Sequence, residues 1–438
     1  MRILRRTIVA AVLAAGLPVP GFAQVQPRAP AGAVFGHSAP GNQEERQKLD
    51  VTIDTVEAYD QDVVVHSGDT AFSLFQGSGF YTTVTPSIDF SSTRERFQIG
   101  ISAGSNARYY GDLHETVLAN HSVGAGLMVH LSPDTSVSFN QGVTYAPGLL
   151  YGLFASVTVP TLGSAVPAAS NYKLNNESFY SSASTASLTH RLARRTTAEF
   201  TADLKFTTFT AQNTSYPDMR TEGVGGRLLY SLSRGVALRV GYGYRQANYV
   251  GSPRSTQQNL DIGLEYTRNL SRTRKATWAF SVGPTKANAP LLIGSPDVRQ
   301  QYRVVADASL TYEMGRTWRL QGTFHRGLGY IEGLQGPVFT EAYAASSTGY
   351  LNRRTDFSIT AAYSTGESAL TGTPSEFATY TGDARLRYAV TRNWATYIEY
   401  LYYYYNFNRA LLPPGLPPGL TRNGVRTGVT LWIPTMRH

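Results

Sequence analysis

Hydrophobic and polar residues alternate along most of the chain, from about residue 49 to about residue 433. The alternating segments are roughly ten residues long, and a period of two is typical of β-strands rather than helices. Short turns, such as residues 233–235, alternate with long connections, such as residues 148–176. This pattern predicts an all-β fold, a transmembrane antiparallel up-and-down barrel, because such barrels have short turns at one end and long loops at the other.

The number of alternating segments sets the size of the barrel. Counting between the turns gives about 18 strands, with 16 as the alternative if a weak segment is a loop. An even number brings both ends of the barrel segment to the same, periplasmic side. Side chains cannot fill a lumen of this size, so we expect water to enter it unless a loop closes it.

The register of individual hairpins can be predicted from the same alternation. Around residues 391–393, Leu386 is predicted opposite Ile398 and Arg385 opposite Glu399, which gives one apolar row and one ion pair. The turns at residues 193–195, 233–235 and 314–316 predict Leu188 opposite Phe200, Leu228 opposite Val240 and Tyr312 opposite Trp318.

Soluble and membrane barrels both alternate hydrophobic and polar residues, so alternation does not distinguish them. The placement of aromatic residues favours a membrane barrel. Tryptophan and tyrosine cluster beside short turns and again at the far ends of strands, where amphipathic rings settle at lipid headgroups. The alternative is ordinary β-propensity, because tyrosine is common in all strands. The predicted aromatic girdles contain Trp318, Trp394, Tyr312, Tyr388, Tyr402 and Tyr404.

Projecting the alternation inward gives a polar lining with both signs of charge. Such a lining can filter ions, although any single pair in a wet channel can equally be a weak stabilising contact. The near balance of the two signs predicts weak ion selectivity. The predicted pore-lining residues are Arg227, Arg239, Arg245, Arg303, Arg319, Arg385, Arg387, Glu399, Asp307 and Asp383.

The two ends of the chain differ from the alternating region. Residues 1–23 combine early arginines, an apolar run and a small-residue pair, which predicts a cleaved secretory signal peptide. Residues 24–48 show no periodicity and are predicted to be a flexible periplasmic lead-in, too short for a plug domain. Residues 434–438 are predicted to be a C-terminal tail. These features predict the bacterial outer membrane, with its lipids and the barrel assembly machinery as partners.

The composition excludes several other functions. The chain has no cysteine, which removes thiolate metal sites and thiol nucleophiles. Without the three signal arginines, 36 basic residues face 30 acidic ones, which is not the basic patch of a nucleic-acid-binding protein. His325 projects toward Asp307, but no catalytic motif surrounds either residue. We therefore predict no enzymatic activity, no catalytic residues, no cofactor and no metal site.

One short motif resembles a known family. Residues 58–63, with the sequence AYDQDV, look like the Tyr-Asp-x-Asn-Val signature of the β-barrel porin 2 family, which is linked to exopolysaccharide export. Asp62 stands where the signature has asparagine. The resemblance implies a barrel of 18 strands and a role near polysaccharide secretion.

These observations predict a porin-like channel for passive passage of small hydrophilic solutes. Two alternatives remain, an exit channel for a secreted exopolysaccharide and a closed structural or adhesive barrel. Association into a homo-oligomer is also left open.

Overall fold

The structure is a computed structural model that describes eleven stretches of the chain. They are residues 47–66, 74–111, 116–147, 178–210, 217–250, 254–290, 298–315, 317–330, 337–368, 376–408 and 418–437. The predicted signal peptide and nearly all of the predicted lead-in lie outside these residues.

The described residues form eighteen strands in one sheet. The first nine are β1 (Gln47–His66), β2 (Leu74–Thr93), β3 (Phe97–Tyr110), β4 (Thr116–Ser132), β5 (Thr135–Pro147), β6 (Ser178–Arg191), β7 (Thr196–Phe209), β8 (Met219–Ser231) and β9 (Val236–Tyr249). The others are β10 (Ser255–Asn269), β11 (Arg274–Pro290), β12 (Val298–Met314), β13 (Trp318–Gly329), β14 (Val338–Tyr350), β15 (Thr355–Ser368), β16 (Glu376–Ala389), β17 (Trp394–Phe407) and β18 (Gly419–Arg437).

Every strand is antiparallel to its neighbours in sequence, and the first and last strands close the sheet. β1 pairs with β18, with Val51 opposite Ile433 and Lys48 opposite Arg437. The predicted 18-strand barrel is therefore confirmed, and the alternative of 16 strands is wrong. β18 includes residues 434–437, which were predicted to belong to a tail. Pairing of β1 with β18 gives both strands a neighbour on each side, so neither is left as the edge of an open sheet.

Three of the four predicted hairpin registers are confirmed. Leu386 lies opposite Ile398, and the pairs at the turns after β6 and β8 also match. The fourth was wrong by two residues, because Met314 rather than Tyr312 lies opposite Trp318. Gly315, with a φ of 72°, begins the connection after β12, in a left-handed conformation that glycine adopts without a steric penalty.

The turns divide the barrel into two ends. The short turns lie at what we call the inner end, and the longer connections lie at the outer end. Among the described residues, no helix is long and apolar enough to cross a membrane. The buried side chains point into the barrel rather than toward its outer surface, so the candidate functional surface is the lumen.

Candidate functional site

The two faces of the barrel wall differ in chemistry. On β9, Val240 and Tyr242 point outward and are exposed, whereas Arg239 points into the lumen and is buried. The same alternation repeats around the barrel, so large apolar side chains form an outer belt. A soluble barrel has the opposite arrangement, with its apolar face inside. The outer belt therefore faces hydrocarbon.

Aromatic rings mark both edges of this belt. Trp318 and Trp394 lie outward and exposed beside short turns at the inner end. Near the outer end, Tyr343, Tyr363 and Tyr380 form a row in which neighbouring ring centroids lie 6.3 and 4.7 Å apart. The other predicted girdle residues lie at outward positions of their strands, and these are Tyr312, Tyr388, Tyr402 and Tyr404.

All ten predicted lining residues occupy lumen-facing positions, but they differ in accessibility. Arg239, Arg387 and Glu399 are buried by other side chains. The remaining seven are at least partly exposed, and these are Arg227, Arg245, Arg303, Asp307, Arg319, Asp383 and Arg385. A lumen-facing position therefore does not by itself make a residue a contact for a passing solute.

The most tightly packed part of the lumen lies along β15–β18. Arg387 on β16 meets Asp356 on β15, with Nη2 2.6 Å from Oδ2 and Nε 3.2 and 3.3 Å from the two oxygens. The two residues are directly opposite each other in the ladder. Their planar groups match in shape, which lets a buried pair keep its hydrogen bonds.

Arginines in the same region stack on tyrosines. The Arg385 guanidinium lies 3.8 Å from the centroid of the Tyr397 ring. That ring lies across Gly428, where a Cβ atom would be only 2.5 Å from the ring's Cζ. Arg108 lies 4.3 Å from the centroid of Tyr81, so rings and guanidiniums cover one another. We call these lumen-facing side chains of β15–β18, together with Tyr81 and Arg108, the packed wall.

Across the barrel, β7–β10 carry a second set of ion pairs. Arg239 Nε lies 3.2 Å from Asp261 Oδ2, and Arg245 Nη2 lies 2.9 Å from Asp203 Oδ1. Gly241 and Gly223 provide the room, since a Cβ at either would meet the carboxylate of Asp261 or Asp203. The carboxylates thus lie flat on bare backbone, and in both pairs the acid is more exposed than the arginine.

The most accessible charged lumen surface lies on β12 and β13. His325 Nδ1 is 2.6 Å from Asp307 Oδ1, and their side chains are 35% and 39% exposed. Arg319 and Glu313, nearer the inner end, form an exposed pair at 3.3 Å. His325 and Asp307 were named together from the sequence, and the structure brings them into contact. In the described residues, no group of three or more His, Asp or Glu side chains is arranged to hold a metal ion.

The wall is split at the outer end between β12 and β13. Their ladder ends at Ala306 opposite Arg326, although β12 continues pairing with β11 as far as Val298. Above the split, outward positions of β13 and β14 are buried rather than exposed. Leu328, Tyr330 and Phe339 form one apolar cluster with lumen-facing residues of other strands, namely Met219, Ala247, Tyr249, Ala287 and Val305.

These contacts require the outer ends of β13–β15 to lie inside the lumen. Arg303, on the lumen face of β12, lies 5.4 Å from the ring centroid of Phe339 and 2.8 Å from Glu367. Both partners occupy positions that face outward lower on their strands. We call residues 327–330 and 337–341 the inward tip. The tip narrows the outer end of the lumen.

Tyr330 anchors the inward tip. It follows the end of β13 directly and is 0% exposed, although it stands in a connection between strands. Burial raises the pKa of its phenol above the usual value, so the ring stays neutral. Burial of the ring stabilises the inward arrangement, although its hydroxyl has no hydrogen-bond partner among the described residues, which offsets part of that gain.

Several lumen residues were not predicted from the sequence. Asp50, Asp54 and Arg422 are buried lumen-facing charges that were not named as lining. For Asp50 and Asp54 the signal was available, because charged and hydroxyl residues alternate with valine and isoleucine at the start of β1. Tyr330 carried no such signal, since its place in the alternation predicts an outward ring.

Together these features define a membrane-spanning β-barrel of the bacterial outer membrane with a charged, partly packed lumen. The closed 18-strand wall, the outward apolar belt and the aromatic rows at both edges are all properties of that class.

No protein-family model and no curated protein matches the chain. Among solved structures, the chain is similar to Pseudomonas aeruginosa OpdQ, with 11% identity, 90% of this chain and 100% of OpdQ covered, and a TM-score of 0.43. It is also similar to Acinetobacter baumannii OccAB2, with 12% identity, 89% and 98% covered, and a TM-score of 0.44.

A third similar structure is Pseudomonas aeruginosa OccK2, solved in complex with glucuronate, with 11% identity, 89% and 97% covered, and a TM-score of 0.41. Similarity at this level assigns no substrate to the chain. The resemblance to the exopolysaccharide-associated family is not confirmed, and the polysaccharide exit channel gains no support.

Proposed function

We propose that this chain forms a passive channel for small hydrophilic solutes. The observation that carries the proposal is that the same eighteen strands present apolar side chains outward and charged or hydroxyl side chains inward. Lipid thus stabilises the outside of the barrel, while the polar lining retains water inside. Charged walls are unsuited to apolar ligands, because desolvating their ions is costly.

The accessible route runs along β12 and β13 rather than along the packed wall. Asp307, His325 and Ser309 are partly or fully exposed on the lumen face, whereas the lumen-facing residues of β17 are buried. A solute therefore meets hydroxyl, carboxylate and imidazole groups. These groups can form hydrogen bonds with polar solutes, so a solute does not need a charge to interact with them.

The test is single-channel conductance of refolded residues 24–438 in a planar bilayer, with sugar uptake by liposomes in parallel. We expect stable conductance steps and uptake that falls with sugar size. Ser309→Trp adds a ring to the exposed lumen face and should lower both signals. Ala308→Trp is the matched control, because Ala308 is adjacent to Ser309 in the chain but faces outward.

A folded barrel without conductance or uptake would contradict the channel proposal and favour the closed structural barrel. Equal effects of the two tryptophan variants would show that the route does not pass Ser309.

A further inference from the structure

The split between β12 and β13 has a second, closed arrangement built into the sequence. If the ladder continued past Ala306 and Arg326 in the same register, Val304 would lie opposite Leu328 and Tyr302 opposite Tyr330. All four side chains would then face outward as an apolar row. Val304 and Tyr302 are already outward, 53% and 68% exposed. The outer end of β13 therefore has a partner surface that it does not use in this structure.

We propose that the inward tip is a gate, which moves between the lumen and a position zipped onto the free edge of β12. In the inward position it narrows the lumen, and in the zipped position it completes the wall and widens the outer mouth. The proposal rests on the proposed channel function for its consequence, but the movement itself can be tested without any conductance.

Local sequence supports bending at the split. Gly327 and Gly329 bracket Leu328, and glycine in a strand interior commonly marks a bend. The His325 ring occupies the space beside Gly327, where a Cβ would lie 2.9 Å from two ring atoms. A larger residue at this position would press against the ring in the inward arrangement.

The two positions offer competing interactions. The inward position gains the apolar cluster around Tyr330 and the Arg303–Glu367 ion pair, whose side chains are both more than a third exposed. The zipped position gains backbone hydrogen bonds along residues 302–305 of β12. An exposed ion pair contributes little, so the apolar cluster is the main force that holds the tip inward.

Disulfide trapping tests the movement directly, because the chain has no cysteine of its own. In the inward position, the thiols of Val304→Cys and Leu328→Cys lie on the outer side and the lumen side of the barrel wall. In the zipped position they are cross-strand neighbours. The matched control is Ala308→Cys with Phe324→Cys, a pair already opposed in the ladder. The two pairs are four residues apart along each strand, so both occupy ladder positions of the same hydrogen-bonding type. Residues paired in this way lie within reach of a disulfide bond.

Under mild oxidant we expect the control pair to cross-link completely. The gate pair should cross-link more slowly, by roughly ten- to a thousandfold, since a minor state is usually populated at about 0.1–10%. Tyr330→Ala, which removes the anchor of the inward position, should speed the cross-linking of the gate pair and leave the control pair unchanged.

Conductance then tests the consequence. The cross-linked gate pair should give larger single-channel steps than the same protein after reduction. Absence of the gate-pair disulfide while the control pair forms completely would overturn the proposal, as would cross-linking without a change in step size in a conducting barrel. Cross-linking in a barrel that never conducts would support the movement and show that the channel function, rather than the gate, had failed.

Discussion

The guanidinium of Arg387 and the carboxylate of Asp356 form a two-point ion pair inside the barrel wall, and the two side chains are only 3% and 8% exposed. The residues are cross-strand neighbours, so the pair connects β15 to β16 through side chains as well as through the ladder. A pair this buried cannot exchange its partner for water, which makes it a structural contact rather than a filter.

Breaking this pair should destabilise the barrel strongly. Arg387→Met leaves the Asp356 carboxylate buried without its guanidinium, at a cost of about 3–5 kcal/mol. The free energy of unfolding, measured by urea titration in lipid vesicles, checks this value. Arg319→Met is the control, because the Arg319–Glu313 pair is exposed and contributes about 0–1 kcal/mol. Similar losses for the two variants would contradict a structural role specific to the buried pair.

The two faces of β8 should respond differently to the same charge. Leu228 faces lipid, whereas the adjacent Leu229 faces the lumen opposite Arg239. Leu228→Arg should lower the free energy of unfolding, because its charge would enter hydrocarbon; since Leu228 lies near the inner end of β8, the loss should be smaller than the roughly 2–4 kcal/mol of a charge at the bilayer midplane. Leu229→Arg should cost less, since water reaches the lumen. The same vesicle titration measures both variants, and a larger loss for Leu229→Arg would reverse the assignment of the two faces.

The turn after β12 should depend on glycine. Gly315 has a φ of 72°, and a Cβ placed there would have no atom within 4 Å, so only backbone strain opposes a side chain. Gly315→Ala should destabilise by about 1–2 kcal/mol, and Gly315→Asn by less, because asparagine tolerates this conformation better. Gly322→Ala is the matched control, with equally open space and no positive φ. An equal loss for both alanine variants would argue against strain at the turn.

Ion selectivity should be weak and should depend on the exposed lumen charges. Asp307→Asn removes an accessible carboxylate from the route and should shift the reversal potential in a salt gradient toward anions. Asp134→Asn removes the same charge from an exposed inner turn and should shift it less. A shift of equal size would indicate that overall charge, rather than the position of Asp307, sets the preference.

Alternation along the sequence was enough to predict the barrel and most of its local pairing. It succeeded at Leu386 and Ile398 because an apolar face must meet an apolar face across each turn. It failed by two residues at Met314 and Trp318, since a period of two cannot distinguish registers that differ by two.

The lumen could be predicted only as a set of inward positions. Alternation assigns Arg387 and Asp307 to the same face, but it does not say that one is buried by a neighbour and the other is reached by solvent. Burial depends on contacts across the barrel, such as those that Tyr330 makes with distant strands. The inward tip was not predictable either, because Leu328 and Tyr330 continue the outward pattern of β13 without a break.

The pairing of β1 with β18 has a consequence for protein engineering. Since Val51 lies beside Ile433, the sheet has no first or last strand, only a cut in a continuous ring of hairpins. A peptide linker joining the two ends at the inner side, with new termini opened at another short turn, would preserve every strand pairing. Such circular permutants would show which hairpins the assembling chain needs early and which can be inserted last.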